Sequence, residues 1–109
     1  MNYLLPVFMK LDDQPCLVVG GGKIAFQKIN QLLASKAQVT VIAPKISDKI
    51  QCLPVQLMKR EYNYSDINNK QLIIAATNND KINKQIYKEA HRQGIPVNVV
   101  DQPHLCSFY

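Results

Sequence analysis

A row of three glycines at residues 20–22 is the stretch of this chain with the clearest chemical use. It follows an apolar run at residues 16–19 that is typical of a buried parallel strand, and it precedes a helical pattern. The spacing of Gly20, Gly22 and Ala25 matches G-x-G-x-x-G/A, in which the first glycine turns tightly and the second lets a pyrophosphate approach the backbone. The N–H groups that begin the helix would hold the phosphates. The motif predicts dinucleotide binding, and a glycine turn without a ligand is the alternative.

Asp101 is a second candidate, because it directly follows an apolar run at residues 96–100. A carboxylate in such a place acts as a general base when a substrate proton lies within hydrogen-bond reach. An aspartate before Gln102 and Pro103 is also typical of a turn in which the side chain bonds to nearby backbone. From the residues alone both interpretations stay open, and the turn is the favoured one.

Segments with strand and helix patterns alternate along the whole chain. Apolar or alternating runs predict strands at residues 16–19, 38–43, 55–60, 72–76 and 96–100. Helical patterns predict a helix at residues 22–35, with Ile24 on its apolar face, and another at residues 81–93. A short helix is predicted between residues 45 and 53, and a single turn at 65–69. This alternation implies right-handed crossovers. It predicts a Rossmann-like α/β fold, a doubly wound and mostly parallel sheet with helices on both faces, in one domain at residues 1–109.

Ligands of such sheets bind beyond the carboxyl ends of the strands. The residues expected there are Gly20, residues 43–44, residues 76–77 and residues 100–101. We therefore expect these positions to share one crevice. Thr77, at the end of a strand, would either contact the cofactor or cap the next helix.

A carboxylate that is usual in NAD-binding sheets is missing from its place. An Asp or Glu about 20 residues past the glycines binds the ribose hydroxyls of NAD. Ala43, Pro44 and Lys45 occupy that place, and no carboxylate occurs before Asp48. A lysine there would favour a 2′-phosphate and hence NADP. Either backbone groups hold the ribose, or the cofactor is not NAD.

The composition excludes several classes of protein. Of the 109 residues 47% are hydrophobic and 19% are charged, as in ordinary globular domains. No apolar run approaches the roughly 20 residues of a membrane span, and no signal peptide is evident. Three widely spaced cysteines, Cys16, Cys52 and Cys106, argue against disulfides or a zinc site and favour the cytoplasm. The net charge of +5 comes from lysines scattered along the chain, a distribution that argues against nucleic-acid binding. Such a charge is typical either of a solvated surface or of a site for a polyanionic substrate.

Four stretches in the same order together resemble the precorrin-2 dehydrogenases, which include the N-terminal module of siroheme synthase. They are residues 5–8 with 16–22, residues 39–44, residues 74–78, and residues 98–101 with Pro103, Ser107 and Phe108. The resemblance covers nearly the whole chain. It implies an enzyme that oxidises precorrin-2 to sirohydrochlorin with NAD in siroheme biosynthesis, and some members also insert ferrous iron. It implies a tetrapyrrole substrate, no nucleic-acid or membrane partner, and a homodimer when a downstream segment is present.

The resemblance also implies roles for individual residues. NAD contacts are expected from Lys23 and Ile24 at the start of the helix and from Pro44 and Lys45 after the second strand, where relatives also carry an apolar residue and proline. Asp101 matches an aspartate implicated in dehydrogenation, and no residue is assigned to a metal. Family members continue into dimerisation and helical segments, so we expect weak turnover by the 109 residues alone. A nucleotide-sensing module without catalysis is the alternative function.

Overall fold

The computed structural model describes residues 3–109, so Met1 and Asn2 of the expected 1–109 domain lie outside the described residues. Five strands form one sheet in the order β3-β2-β1-β4-β5. They are β1 (Pro15–Val19), β2 (Gln38–Ile42), β3 (Gln56–Met58), β4 (Leu72–Ala75) and β5 (Val97–Val99). All four neighbouring pairs are parallel, which confirms the predicted Rossmann-like sheet.

Helices cover both faces of the sheet, as predicted. They are α1 (Lys23–Ala34), α2 (Asp48–Gln51) and α3 (Asp80–Gln93), with 3-10 turns at Tyr64–Ile67 and Pro103–Leu105. The buried residues form two clusters, one on each face. Ile29 of α1 packs with Val18 in the first cluster, and Ile86 of α3 packs with Leu17 in the second. Because consecutive residues of a strand point to opposite faces, the apolar run of β1 serves both layers.

Tertiary hydrogen bonds shorten several predicted elements. The predicted strand at residues 55–60 is reduced to β3 because the N–H of Arg60 turns back to the carbonyl of Met58 (3.0 Å). The strand predicted at residues 96–100 ends at Val99, since Val100 enters a turn. None of the helices in residues 3–109 is long and apolar enough to cross a lipid bilayer.

The C-terminal residues turn back along the outer edge of β5, a feature that periodicity did not predict. The Ser107 hydroxyl accepts a hydrogen bond from the N–H of Val97 (2.8 Å), and the Ser107 N–H donates to the Val97 carbonyl (2.8 Å). The Asn98 amide donates to the carbonyl of Phe108 (3.0 Å), whose ring packs against the core. An edge strand left open would pair with other chains, so these bonds protect β5.

Candidate functional site

The carboxyl ends of the strands open into a single crevice of about 1110 Å³, close to the upper size of small-molecule sites. It lies where the strand order reverses at β1, the usual place for a ligand in a doubly wound sheet. All the predicted site residues line it: Gly20, Gly22, Lys23, Ile24, Pro44, Lys45, Thr77 and Asp101. The fold therefore brings these residues together, while their contacts with a cofactor stay predictions.

The first two glycines let three loops approach one another. Gly20 has a φ of 140°, and a Cβ there would collide with the carbonyl group of Ala76, the residue after β4. A Cβ on Gly21 would overlap the carbonyl of Lys45 and lie 2.9 Å from the Cα of Ile46. The expected turn role of Gly20 agrees with this geometry. Gly21 has a structural role that the sequence interpretation missed, although the unbroken row of three glycines was a signal for it.

Gly22 and the start of α1 fit the pyrophosphate of a dinucleotide. A Cβ on Gly22 would meet no atom within 4 Å, so the space beside this residue is open to the crevice. Gly22 stands at the N-cap of α1, which has no side-chain cap and no acidic residue in its first turn. The N–H groups of this turn thus face a space that an anion can enter. Lys23 places a positive charge at the positive end of the helix dipole, which is unfavourable without an anion nearby.

Ile24 departs from the predicted packing of α1. The helical pattern placed it on the apolar face of the helix, yet it is 42% exposed and lines the crevice. The residues of α1 that the core buries are Ala25, Ile29 and Leu32. Ile24 therefore offers an apolar wall to a ligand, since small-molecule sites combine such walls with a few polar groups.

The loop after β2 supplies no carboxylate to the crevice. Ala43 is buried and donates its N–H to the carbonyl of Met58 (3.3 Å), whereas Pro44 and Lys45 are exposed at the crevice. Glu61 and Tyr62, from the loop after β3, also line the crevice, and the sequence interpretation did not include them.

Tyr62 is fixed to helix α3. Its hydroxyl donates to the carboxylate of Glu89 (2.5 Å). Burial first, and then this hydrogen bond and the charge of Glu89, hold the pKa of Tyr62 well above its usual value. Tyr62 is therefore a neutral wall of the crevice at physiological pH.

A buried asparagine holds the loop after β4. Asn83 of α3 is 3% exposed, and its amide donates to the carbonyl of Thr77 (3.1 Å). The Thr77 hydroxyl donates to the Oδ1 of Asn83 (2.6 Å) and accepts from the N–H of Asn79 (3.1 Å). Asn79 caps α3 by accepting from the N–H groups of Lys81 and Ile82. Thr77 thus anchors the loop at the lip of the crevice, and its contact with a cofactor remains a prediction.

Asp101 presents an unpaired carboxylate at the crevice. It occupies a turn closed by the N–H of Gln102 on the carbonyl of Val99 (3.1 Å), and its φ of 63° is one that aspartate adopts only at some energetic cost. Its side chain makes no hydrogen bond within residues 3–109, so the bond expected for a simple turn aspartate is not formed there. The nearby Cys106 thiol donates to backbone carbonyls, which agrees with a structural role. The part of the chain described here contains no group of three or more His, Cys, Asp or Glu residues that could hold a metal ion.

Comparison with known proteins supplies a family for this geometry. A family described as "Putative NAD(P)-binding" matches residues 7–109. A siroheme synthase of Vesicomyosocius okutanii subsp. Calyptogena okutanii is 46% identical over 112 residues, which cover 99% of this chain and 24% of that protein. A siroheme synthase of Psychrobacter arcticus is 44% identical over 107 residues, which cover 94% of this chain and 20% of that protein.

A solved structure shares the fold. SirC, described as a precorrin-2 dehydrogenase, matches with a TM-score of 0.78 and 28% identity, over 91% of this chain and 50% of that chain. This chain thus spans about a quarter or less of the length of the two siroheme synthases, and half of the solved chain.

Proposed function

The chain belongs to this NAD(P)-binding family, and from that premise we propose that it is the NAD-binding module of an enzyme that oxidises precorrin-2 in siroheme biosynthesis. The observation that carries the proposal is the crevice that joins the glycine loop of β1 to the free carboxylate of Asp101. The similarity to siroheme synthases and to SirC supports the reaction class. We propose that residues 1–109 act together as this module.

The start of α1 would hold the cofactor. The open space beside Gly22 admits a pyrophosphate, and the uncapped N–H groups of the first turn bind its oxygens. Lys23 and Lys45 line the same crevice and would add positive charge, and Ile24 and Pro44 would supply apolar contact. When bound, NAD supplies a hydride acceptor for the oxidation.

Asp101 would receive the proton that leaves the substrate. Removal of two hydrogens from the tetrapyrrole sends one away as a hydride and the other as a proton, which needs a base. The carboxylate of Asp101 makes no bond within residues 3–109 and lines the same crevice as the glycine loop, so it is available for this role. The net charge of +5 favours the approach of a polyanionic substrate.

A binding assay and a turnover assay test the proposal separately. Calorimetric titration of the purified chain with NAD should give saturable binding. Oxidation of precorrin-2, followed by formation of NADH, should occur when this chain replaces the matching quarter of the Vesicomyosocius siroheme synthase. Addition of ferrous iron to the product tests the iron insertion that the family resemblance implies. Binding of NAD without oxidation in the chimera would instead indicate a nucleotide sensor, and no binding would contradict the cofactor assignment.

We propose two further properties of the protein in its cell. Free Cys16, Cys52 and Cys106 support a reducing compartment such as the cytoplasm. The greater length of the relatives supports a homodimer formed through segments beyond this module. Sedimentation of the chimera and of the 109-residue chain should give a dimer for the former alone.

A further inference from the structure

Glu61 lies beside the place where the ribose carboxylate is missing. Ile42 and Met58 are the last paired residues of β2 and β3. Lys45 and Glu61 each follow their strand by the same number of residues, and both line the crevice. The loop after β3 thus brings Glu61 to the crevice next to the loop after β2, which offers only Ala43, Pro44 and a lysine.

The residues on either side of Glu61 are anchored to the protein. Arg60 makes two hydrogen bonds to the carboxylate of Asp66, at 2.9 and 2.7 Å, and a further one to the carbonyl of Glu61 at 3.1 Å. On the other side, the hydroxyl of Tyr62 is bound to Glu89 of α3. Two neighbours fixed in this way hold the backbone of Glu61 in place before a ligand arrives, which lowers the entropic cost of binding.

The carboxylate of Glu61 remains free to bind a ligand. Its nearest cationic neighbour in the sequence, Arg60, is occupied by Asp66, which forms the single ion pair found within residues 3–109. The Glu61 side chain makes no hydrogen bond within the same residues. An exposed, unpaired acceptor on an anchored loop at the crevice is suited to hydroxyl groups of a ligand.

We propose that Glu61 supplies the carboxylate missing from the end of β2, accepts hydrogen bonds from the adenosine ribose hydroxyls, and makes the site prefer NAD to NADP. This inference rests on the proposed NAD-binding function. A carboxylate at the ribose repels a 2′-phosphate, whereas Lys45 attracts one, so the two side chains act in opposite directions. Glu61 then sets the preference between NAD and NADP, which the residues around Pro44 do not determine.

Titration of four proteins with NAD and with NADP tests this role. The parent should bind NAD more tightly than NADP. Glu61→Gln keeps the shape of the side chain and removes its charge, and it should lower the ratio of NAD to NADP affinity by about tenfold or more. Lys45→Met should raise this ratio, because loss of the lysine charge weakens the binding of NADP. Asp13→Asn, the same loss of one negative charge at the opposite edge of the sheet, should leave the ratio unchanged.

The outcomes separate this inference from the proposed function. If the parent binds NAD and Glu61→Gln keeps the parent ratio, Glu61 has no part in cofactor choice, while the proposed function stands. An equal fall of the ratio in Asp13→Asn would mean that net charge, and not the position of Glu61, sets the preference. If the parent binds neither dinucleotide, both the proposed function and this inference are overturned.

Discussion

The two edges of this one parallel sheet are held together in different ways. The amino edge, where the strands begin, is closed by backbone bonds such as the N–H of Asp13 on the carbonyl of Lys36 (2.9 Å) and the N–H of Ile95 on the carbonyl of Ala90 (2.9 Å). The carboxyl edge, where the strands end, also has backbone bonds, such as the N–H of Gln102 on the carbonyl of Val99 (3.1 Å). Three side-chain pairs add to them there: Thr77–Asn83, Arg60–Asp66 and Tyr62–Glu89. These pairs tie the loops to α3 and to the turn at Tyr64–Ile67, so the loops are held while the crevice between them stays open.

Two aspartates make this difference measurable. Asp13 and Asp101 have nearly equal left-handed φ values, 61° and 63°, and both side chains are exposed. Asp13 turns the chain into β1 at the amino edge, whereas Asp101 lines the crevice at the carboxyl edge. The same left-handed backbone conformation therefore reverses the chain at the amino edge and places a free carboxylate at the carboxyl edge.

The largest effect is expected from Asp101→Asn. Asparagine tolerates the left-handed conformation, so the fold and NAD affinity should be retained. Loss of a general base typically lowers a rate by about 10²–10⁴-fold, and we expect that fall in precorrin-2 oxidation by the chimera described above. Asp13→Asn is the matched control and should oxidise at the parent rate. Parent activity in the Asp101→Asn chimera would make this residue a turn aspartate without catalytic function.

The next effect concerns Gly21 and is one of stability. A Cβ here would overlap the backbone of Lys45, which cannot move without shifting the start of α2. Backbone overlap of this kind costs about 3 kcal/mol or more of folding free energy. Gly21→Ala should lower the free energy of unfolding by that amount in urea denaturation. Gly94, at the amino edge, has a φ of 72° and open space for a Cβ. Gly94→Ala should therefore lower the free energy of unfolding by only about 1 kcal/mol. Equal losses would show that crowding at the carboxyl edge has no special weight.

Gly22→Val separates stability from binding. A Cβ at Gly22 would meet no protein atom within 4 Å, so we expect the unfolding free energy to stay near the parent value. The same side chain would occupy the space beside the start of α1, and we expect NAD affinity to fall about 10- to 100-fold. Calorimetry measures this loss, and circular dichroism checks the fold. Unchanged affinity in a folded Gly22→Val protein would remove the glycine loop from the cofactor site.

The features predicted from sequence are those that local patterns determine. The apolar run of β1, the glycine turn and the helical period of α1 lie within about 20 consecutive residues, so their prediction needed no tertiary contact. The shared crevice then followed from a general property of parallel sheets.

The features that were missed depend on residues distant in the sequence. Gly21 is required by the backbone of Lys45, and Asn83 is buried because it bonds to Thr77. Glu61 matters only because β3 lies beside β2, and the pairing of Ser107 with Val97 needs the finished edge of β5. No periodicity in the chain encodes such contacts.

The smallest expected effect is a loss of stability in acid, which should occur at the carboxyl edge of the sheet and not at the amino edge. Burial raises the pKa of Asp66, but hydrogen bonds from Arg60 and from the N–H of Asn63, with the charges of Arg60 and Lys70, outweigh it and lower the pKa below its usual value of 3.8. A carboxyl group with a lowered pKa stabilises the fold above its unfolded pKa, and this contribution is lost as the pH falls through the folded pKa. The loop that carries Glu61 should therefore loosen in acid, while the backbone bonds of the amino edge have no group to titrate.

NMR titration of backbone amides measures this difference directly. The N–H of Asn63 donates to the Asp66 carboxylate (2.7 Å), so its chemical shift should change with a midpoint below pH 3.8. The amide of Ile95 bonds to the backbone of Ala90 and should keep its shift through the same range. In Asp66→Asn the Asn63 titration should disappear, which assigns it to this carboxyl group. The effect on stability should be small and should shrink with added salt, since Arg60 lies at the surface. A midpoint for Asn63 at or above 3.8, or a parallel change at Ile95, would mean that the ion pair does not hold this loop and that both edges respond to acid alike.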